Sequence, residues 1–153
     1  VKSAPVVATR MGRKTLVAID GSPQAEAALA YAPEEFPESS ITAIHVVQVP
    51  EGYWSAFSDS TTRLPGYDEA VAHGDELLDA AAQTAAAEGC EIETVSKTGR
   101  PSQELVAYAV DEEFEQIVIG SHGRHGIDRV MLGSVSEAVV RRAPMTVIVV
   151  HDQ

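Results

Sequence analysis

Residues 15–23 read Thr-Leu-Val-Ala-Ile-Asp-Gly-Ser-Pro. Thr15 to Ile19 is an unbroken run of β-branched and apolar side chains, the mark of a strand covered on both faces. Asp20-Gly21 supplies a turn. Ser22 followed by Pro23 reads as a helix start: a serine oxygen accepts from the free N–H groups of the first turn, and proline fits the first helical position. The helix is expected to run through Ala25 to about Tyr31 and to stop before Pro33. A buried strand that passes at once into a helix opens a βα unit, and βα units in series predict a parallel sheet with helices packed on it.

The rest of the chain repeats that alternation. Ile41 to Val49 is a second β-branched run. Pro50 to Gly66, with Tyr53, Trp54 and Phe57, shows no period; a loop that long reads as a lid, a partner contact or an insertion. Tyr67 to Glu88 is the longest predicted helix, with Val71, Gly74, Leu78, Ala81 and Ala85 on one face. Glu91 to Lys97 alternates polar and apolar residues, as a strand near a sheet edge does. Gly99 and Pro101 open a third helix carrying Leu105, Val106 and Ala109. Gln116 to Ile119 is a buried strand ending at Gly120. After a glycine-rich loop come a helix over Ser134 to Arg142 and a strand over Thr146 to Val150. The expected fold is one α/β domain, a doubly wound five-stranded parallel sheet with helices on both faces.

Composition narrows the function classes. The chain has 153 residues, 44% of them hydrophobic, which suits one domain with a real core and excludes a disordered chain. Its 23 acidic and 11 basic side chains give a net charge of −12. That argues against nucleic acid and anionic membranes, whose phosphates call for a basic patch. No apolar run approaches the roughly 18 residues of a membrane span. Val1 to Lys14 lacks the apolar stretch of a signal peptide. Cys90 is the only cysteine, so no internal disulfide can form, and a cytoplasmic location is expected. Following Gly89 at a helix end, it reads as a small buried apolar residue. Residues 1–13 read as an N-terminal extension in which Met11 is a candidate natural start.

The charge is uneven. Residues 26–115 carry nineteen acids against Arg63, Lys97 and Arg100, a net −16, whereas residues 1–25 sum to +3 and residues 116–153 to +1. An anionic ligand is therefore most easily placed near the two ends of the chain. Three lysines against eight arginines, with abundant acids, fits a salt-adapted source or an ordinary acidic protein.

Open parallel sheets bind ligands beyond the carboxyl ends of their strands, near the point where strand order reverses. The loops after Asp20 and Gly120 are the first candidates. The second reads Gly120-Ser121-His122-Gly123-Arg124-His125-Gly126, then residues 127–132, then Gly133-Ser134. Glycines allow backbone N–H groups to approach a phosphate, and the helix that follows adds its positive N-terminus. Neither Gly-Lys-Ser/Thr nor Gly-x-Gly-x-x-Gly is present, which excludes a Walker-type loop and argues against a Rossmann dinucleotide site.

The loop resembles that of the universal stress protein family, in particular its ATP-binding branch, whose pattern is Gly, two residues, Gly, nine residues, then Gly with Ser or Thr. Gly120, Gly123, Gly133 and Ser134 match it in full; a chance match anywhere in such a chain is below about 1%. The resemblance extends over a domain of residues 14–151, including Val-Ala-Ile-Asp20-Gly-Ser22, His45-Val46 and Gly-Ser-Val-Ser-Glu137. It implies an adenine nucleotide alpha hydrolase-like fold. It also implies ATP with Mg²⁺ as cofactor, with Asp20 and Val46 contacting the adenine and Ala18 and Ile119 lining the base pocket. Gly120, Gly123 and Gly133 would bring amides to the ribose and phosphates, and Ser134 would bind a phosphate. A homodimer paired through the last strand, Thr146 to Val150, is implied as well.

Each site residue has a plainer reading. Ser134-Val135-Ser136-Glu137 is also a capping-box pattern that needs no ligand. Asp20 suits a turn before Gly21, and Val46 suits a core. His122 and His125 lack a third ligand at metal-binding spacing, so no metal is expected. The leading function is an ATP-binding regulatory or stress-response dimer. No base for activating water is evident, no catalytic residue is assigned, and at most slow hydrolysis is expected. The alternative is a nucleotide-free dimeric interaction protein of the same family. A Gly-x-Ser-x-Gly hydrolase elbow is absent.

Overall fold

In the computed structural model, residues 13–49, 66–121 and 132–151 are described. Their elements follow in the order β1 (Lys14–Ala18), α1 (Pro23–Glu35), β2 (Ser40–Gln48), α2 (Tyr67–Ala87), β3 (Glu93–Gly99), α3 (Pro101–Asp111), β4 (Gln116–Gly120), α4 (Ser134–Arg142) and β5 (Thr146–Val150). All strand pairings are parallel and the sheet order is β3-β2-β1-β4-β5. The doubly wound reading therefore holds. Order reverses between β1 and β4, whose carboxyl ends lead to Asp20 and Ser121.

The unbroken apolar runs are explained by what lies on each side. On one face Val17, Ala43 and Val118 pack with Ala28, Leu29 and Ala32 of α1 and Leu78 and Ala81 of α2. On the other, Leu16, Ile44, Ile117 and Ile119 pack with Leu105 and Ala109 of α3 and Val139 of α4. Successive residues of the inner strands face opposite ways, so both must be apolar. At the edge, β3 exposes Glu93, Thr94, Ser96 and Lys97 and half-buries Val95 and Thr98, so it is exposed on both faces instead of alternating strictly. Cys90 is half-buried against the first of these clusters.

Helix α1 departs from expectation. It continues past Pro33 to Glu35, and Phe36 N–H closes it on Ala32 O at 2.9 Å. Proline removes one backbone rung, but here it falls in the last turn. Ala32, fully buried on the sheet, and the edge-on contact of Tyr31 with Phe36 at 6.2 Å hold that turn in place. The predicted face of α2 is buried at Gly74, Leu78, Ala81 and Ala85, with Val71 only half-buried. Among the described acids between residues 26 and 115, all but Glu104 are exposed, so the negative charge covers the outer surface. No helix of the described residues is long and apolar enough to cross a membrane.

Candidate functional site

Beyond the carboxyl ends of β1, β2 and β4 lies a cleft of ≈ 300 Å³, walled on its sides by the starts of α2, α3 and α4. Of the residues singled out by sequence, Ala18, Asp20, Val46, Ile119 and Gly120 all line it. Gly133 and Ser134 stand at the start of α4, and the next two residues, Val135 and Ser136, reach the cleft wall. Gly123, with His122, His125 and the segment from Pro50 to residue 65, lies outside the described residues.

The turn after β1 is built by Asp20. Its Oδ1 accepts from Ser22 N–H at 2.9 Å and from Ser22 Oγ–H at 2.6 Å. Ser22 Oγ in turn accepts from Ala25 N–H at 3.1 Å, capping α1, while Gly21 takes the left-handed conformation (φ +85°). The plain turn reading of Asp20 is thus realised, and the same carboxylate is exposed at the cleft edge.

At Val46 the backbone matters more than the side chain. The β1–β2 ladder ends with Ala18 opposite Ile44 and a bond from Ile19 N–H to Ile44 O of 2.8 Å. In a parallel ladder the N–H and C=O of every second residue turn to the same neighbour. Those of Val46 therefore turn the same way as those of Ile44, towards the place where β1 has ended. The next regular rung would run from Val46 N–H to Ile19 O. Among the described residues that carbonyl instead accepts from His45 Nδ1–H at 2.8 Å.

The start of α4 corrects the capping-box reading. The cap is Gly133 (φ −69°, ψ 165°), which has no side chain with which to cap. The Glu137 carboxylate pairs with Arg141 at 2.9 Å, one turn along the helix. Gly133 N–H donates to Ser121 O at 3.0 Å, and buried Ser136 donates its hydroxyl to Gly120 O at 2.6 Å. These two bonds fasten the helix start to the end of β4. A helix start with no side-chain cap presents unsatisfied N–H groups, a setting that favours an anion. Ser136 and His45 also line the cleft and make these contacts, although the sequence motifs that contain them gave neither a role: Ser136 was hidden inside the cap pattern, and a histidine within a strand carries no spacing signal.

Gly120 also has a packing role. A Cβ there would lie 2.6 Å from the backbone carbon of Gln24 and 2.8 Å from its oxygen, because α1 crosses directly over the strand end. Among the described residues no group of three His, Cys, Asp or Glu side chains is placed to hold a metal ion.

The sequence model of the universal stress protein family matches residues 11–151. This chain belongs to that family. It is 31% identical to the universal stress protein YxiE of Bacillus subtilis, over 92% of this chain and 100% of that protein. Among solved structures it resembles universal stress protein UspA from Lactobacillus plantarum (26% identity, TM-score 0.70, 90% of this chain and 97% of that one). It shares its fold with a universal stress protein family protein of Arabidopsis thaliana, At3g01520, solved with AMP bound (20% identity, TM-score 0.68, 92% of each chain). In this universal stress protein the cleft lies at the strand-order reversal between β1 and β4.

Proposed function

We propose that this universal stress protein binds an adenine nucleotide, ATP in particular, across the carboxyl ends of β1, β2 and β4. The observation that carries the reading is the Val46 peptide, whose N–H and C=O turn into the cleft beyond the last β1 rung. Adenine presents an amino donor beside a ring-nitrogen acceptor, and a backbone C=O beside an N–H is complementary to that edge. Ala18, Val46 and Ile119 offer apolar surface to the base, with Asp20 at the cleft edge near the ribose. The ribose and phosphates would run past Gly120 towards Gly133, Ser134 and the N–H groups opening α4, with Gly123 contributing from the loop between. Mg²⁺ would arrive on the phosphates, since this small, strongly hydrated cation is held mainly by phosphate oxygens and water. The AMP held by the Arabidopsis protein of the same fold supports the ligand class.

The protein acts by binding rather than by turnover. Asp20 Oδ1, a carboxylate oxygen at the cleft edge, already accepts two hydrogen bonds, an arrangement that serves a turn better than the activation of water. The dimer reading rests on β5, an apolar strand at the sheet edge that pairs, among the described residues, only with β4. Such an edge is a template for a second copy, through Thr146–Val150. A cytoplasmic regulatory dimer that responds to nucleotide accounts for these features together. Calorimetric titration with ATP and Mg²⁺, alongside sedimentation with and without nucleotide, tests it. Saturable heat is expected. A folded dimer that releases no nucleotide on denaturation and gives no heat would leave the nucleotide-free interaction protein as the better reading.

A further inference from the structure

His45 stands on β2, beside the peptide that faces the cleft, and its side chain reaches the carbonyl that would otherwise close the ladder. A carbonyl only accepts, so Nδ1 carries the proton in the 2.8 Å bond to Ile19 O. The ring is held from behind. Helix α2 crosses over it at Gly74, where an added Cβ would lie 2.5 Å from the ring's Cδ2 and 3.1 Å from Nε2. Gly74 is buried and leaves room for the imidazole but little more. His45 is thus fixed between a helix and the end of β1.

We propose that His45 is a positioning residue for the nucleotide: by occupying the Ile19 carbonyl it stops the β1–β2 ladder one rung early and keeps the Val46 N–H available to the base. Ala18 pairs with Ile44, and Ile19 N–H donates to Ile44 O, so the next donor in line for Ile19 O is Val46 N–H. A donor satisfied within the sheet would be lost to a ligand. Imidazole in its place satisfies the carbonyl from the α2 face of the sheet and leaves the strand-to-strand direction open. It also anchors the peptide that leads into Asp20, whose carboxylate sets the turn capping α1. The inference rests on the adenine reading of the cleft, but its structural half can be tested without nucleotide.

Three variants separate the possibilities. In His45→Asn the side-chain amide nitrogen can take the place of Nδ1. In His45→Gln it is displaced one bond further out, and in His45→Leu the donor is gone. Amide hydrogen exchange in the free proteins is the first readout. The Val46 amide exchanges fast in the wild type and in His45→Asn, and becomes protected in His45→Leu as the ladder closes by one rung. The second readout is ATP affinity, which is kept to within about threefold in His45→Asn and falls roughly tenfold in His45→Leu, the size of one lost hydrogen bond. If His45→Leu does not fold, His45→Gln serves as the loss variant. An unprotected Val46 amide in the loss variant, or equal ATP affinity in all the variants, overturns the proposal. If the wild type binds no ATP, the nucleotide reading fails, and the exchange contrast alone decides the role of His45.

Discussion

Gly120→Ala sets a new methyl group directly against the backbone of α1. The new Cβ would lie 2.6 Å from the Gln24 carbonyl carbon, 2.7 Å from Gln24 Cβ and 2.8 Å from Gln24 O. Unstrained carbon contacts are about 3.5–4.0 Å, so the overlap is close to an ångström and falls mainly on backbone. Neither side yields cheaply. Gly120 is paired with Val150 in the sheet, its carbonyl accepts from Ser136, and Ser121 N–H donates to Val150 O at 2.9 Å. Helix α1 must therefore move, taking with it the Asp20–Ser22 turn. Overpacking of this kind costs about 1–3 kcal/mol. For a domain of this size each kcal/mol corresponds to roughly 2–4 °C, so the melting temperature should fall by about 2–12 °C. Thermal unfolding followed by far-ultraviolet circular dichroism measures it. ATP affinity should weaken as well, although no ligand-facing atom has been removed. A variant that melts within about 1 °C of the wild type would refute the close approach of α1 to β4 and return Gly120 to a purely ligand-facing role.

Glu113 holds a left-handed conformation (φ 60°) just past α3, where Glu113 N–H bonds Val110 O and Phe114 N–H bonds Ala109 O. This is a Schellman closure, in which glycine is favoured at that position. Replacing the residue, Glu113→Gly, relieves about 1–2 kcal/mol of backbone strain against about 0.5–1 kcal/mol of glycine entropy. A higher melting temperature is expected, and a lower one would contradict the strain. Tyr108 holds its phenol proton to higher pH than usual, chiefly through burial and then through the charges of Glu112 and Glu93. Because its folded pKa exceeds the unfolded value near 10, its contribution to stability is intact below about pH 10 and is lost as pH rises through the folded pKa. Denaturant unfolding between about pH 9 and 11.5 should show a steeper alkaline loss in the wild type than in Tyr108→Phe; parallel curves would count against it.

Much of the architecture was legible in residues 15–23, since a strand buried on both faces and a capped helix leave their marks within a few positions. The strand order was not, because parallel crossovers of similar length permit several neighbours for each strand. Pro33 was misleading for a tertiary reason: burial of Ala32 on the sheet extends α1 through the proline. The serines before Glu137 marked a helix start correctly, but pattern alone does not decide which residue is the cap, and the cap is Gly133. Gly120 was recognised for its ligand-loop spacing, whereas the close passage of Gln24 gives it a second role that only packing reveals. His45 was invisible as a functional residue because its importance depends on where the β1–β2 ladder ends. Gly74 looked like any small residue on a helix face until the imidazole beneath it was placed.

The central claim is that an adenine base is read by the Val46 peptide while its phosphates meet the start of α4. Amide resonances of the ¹⁵N-labelled protein, followed as ATP and Mg²⁺ are added, test it most directly. The account predicts that the Val46 amide and those of Ser134, Val135 and Ser136 shift together along one saturation curve. Saturable binding that leaves the Val46 and α4 amides unmoved, with shifts gathered elsewhere on the fold, would contradict it.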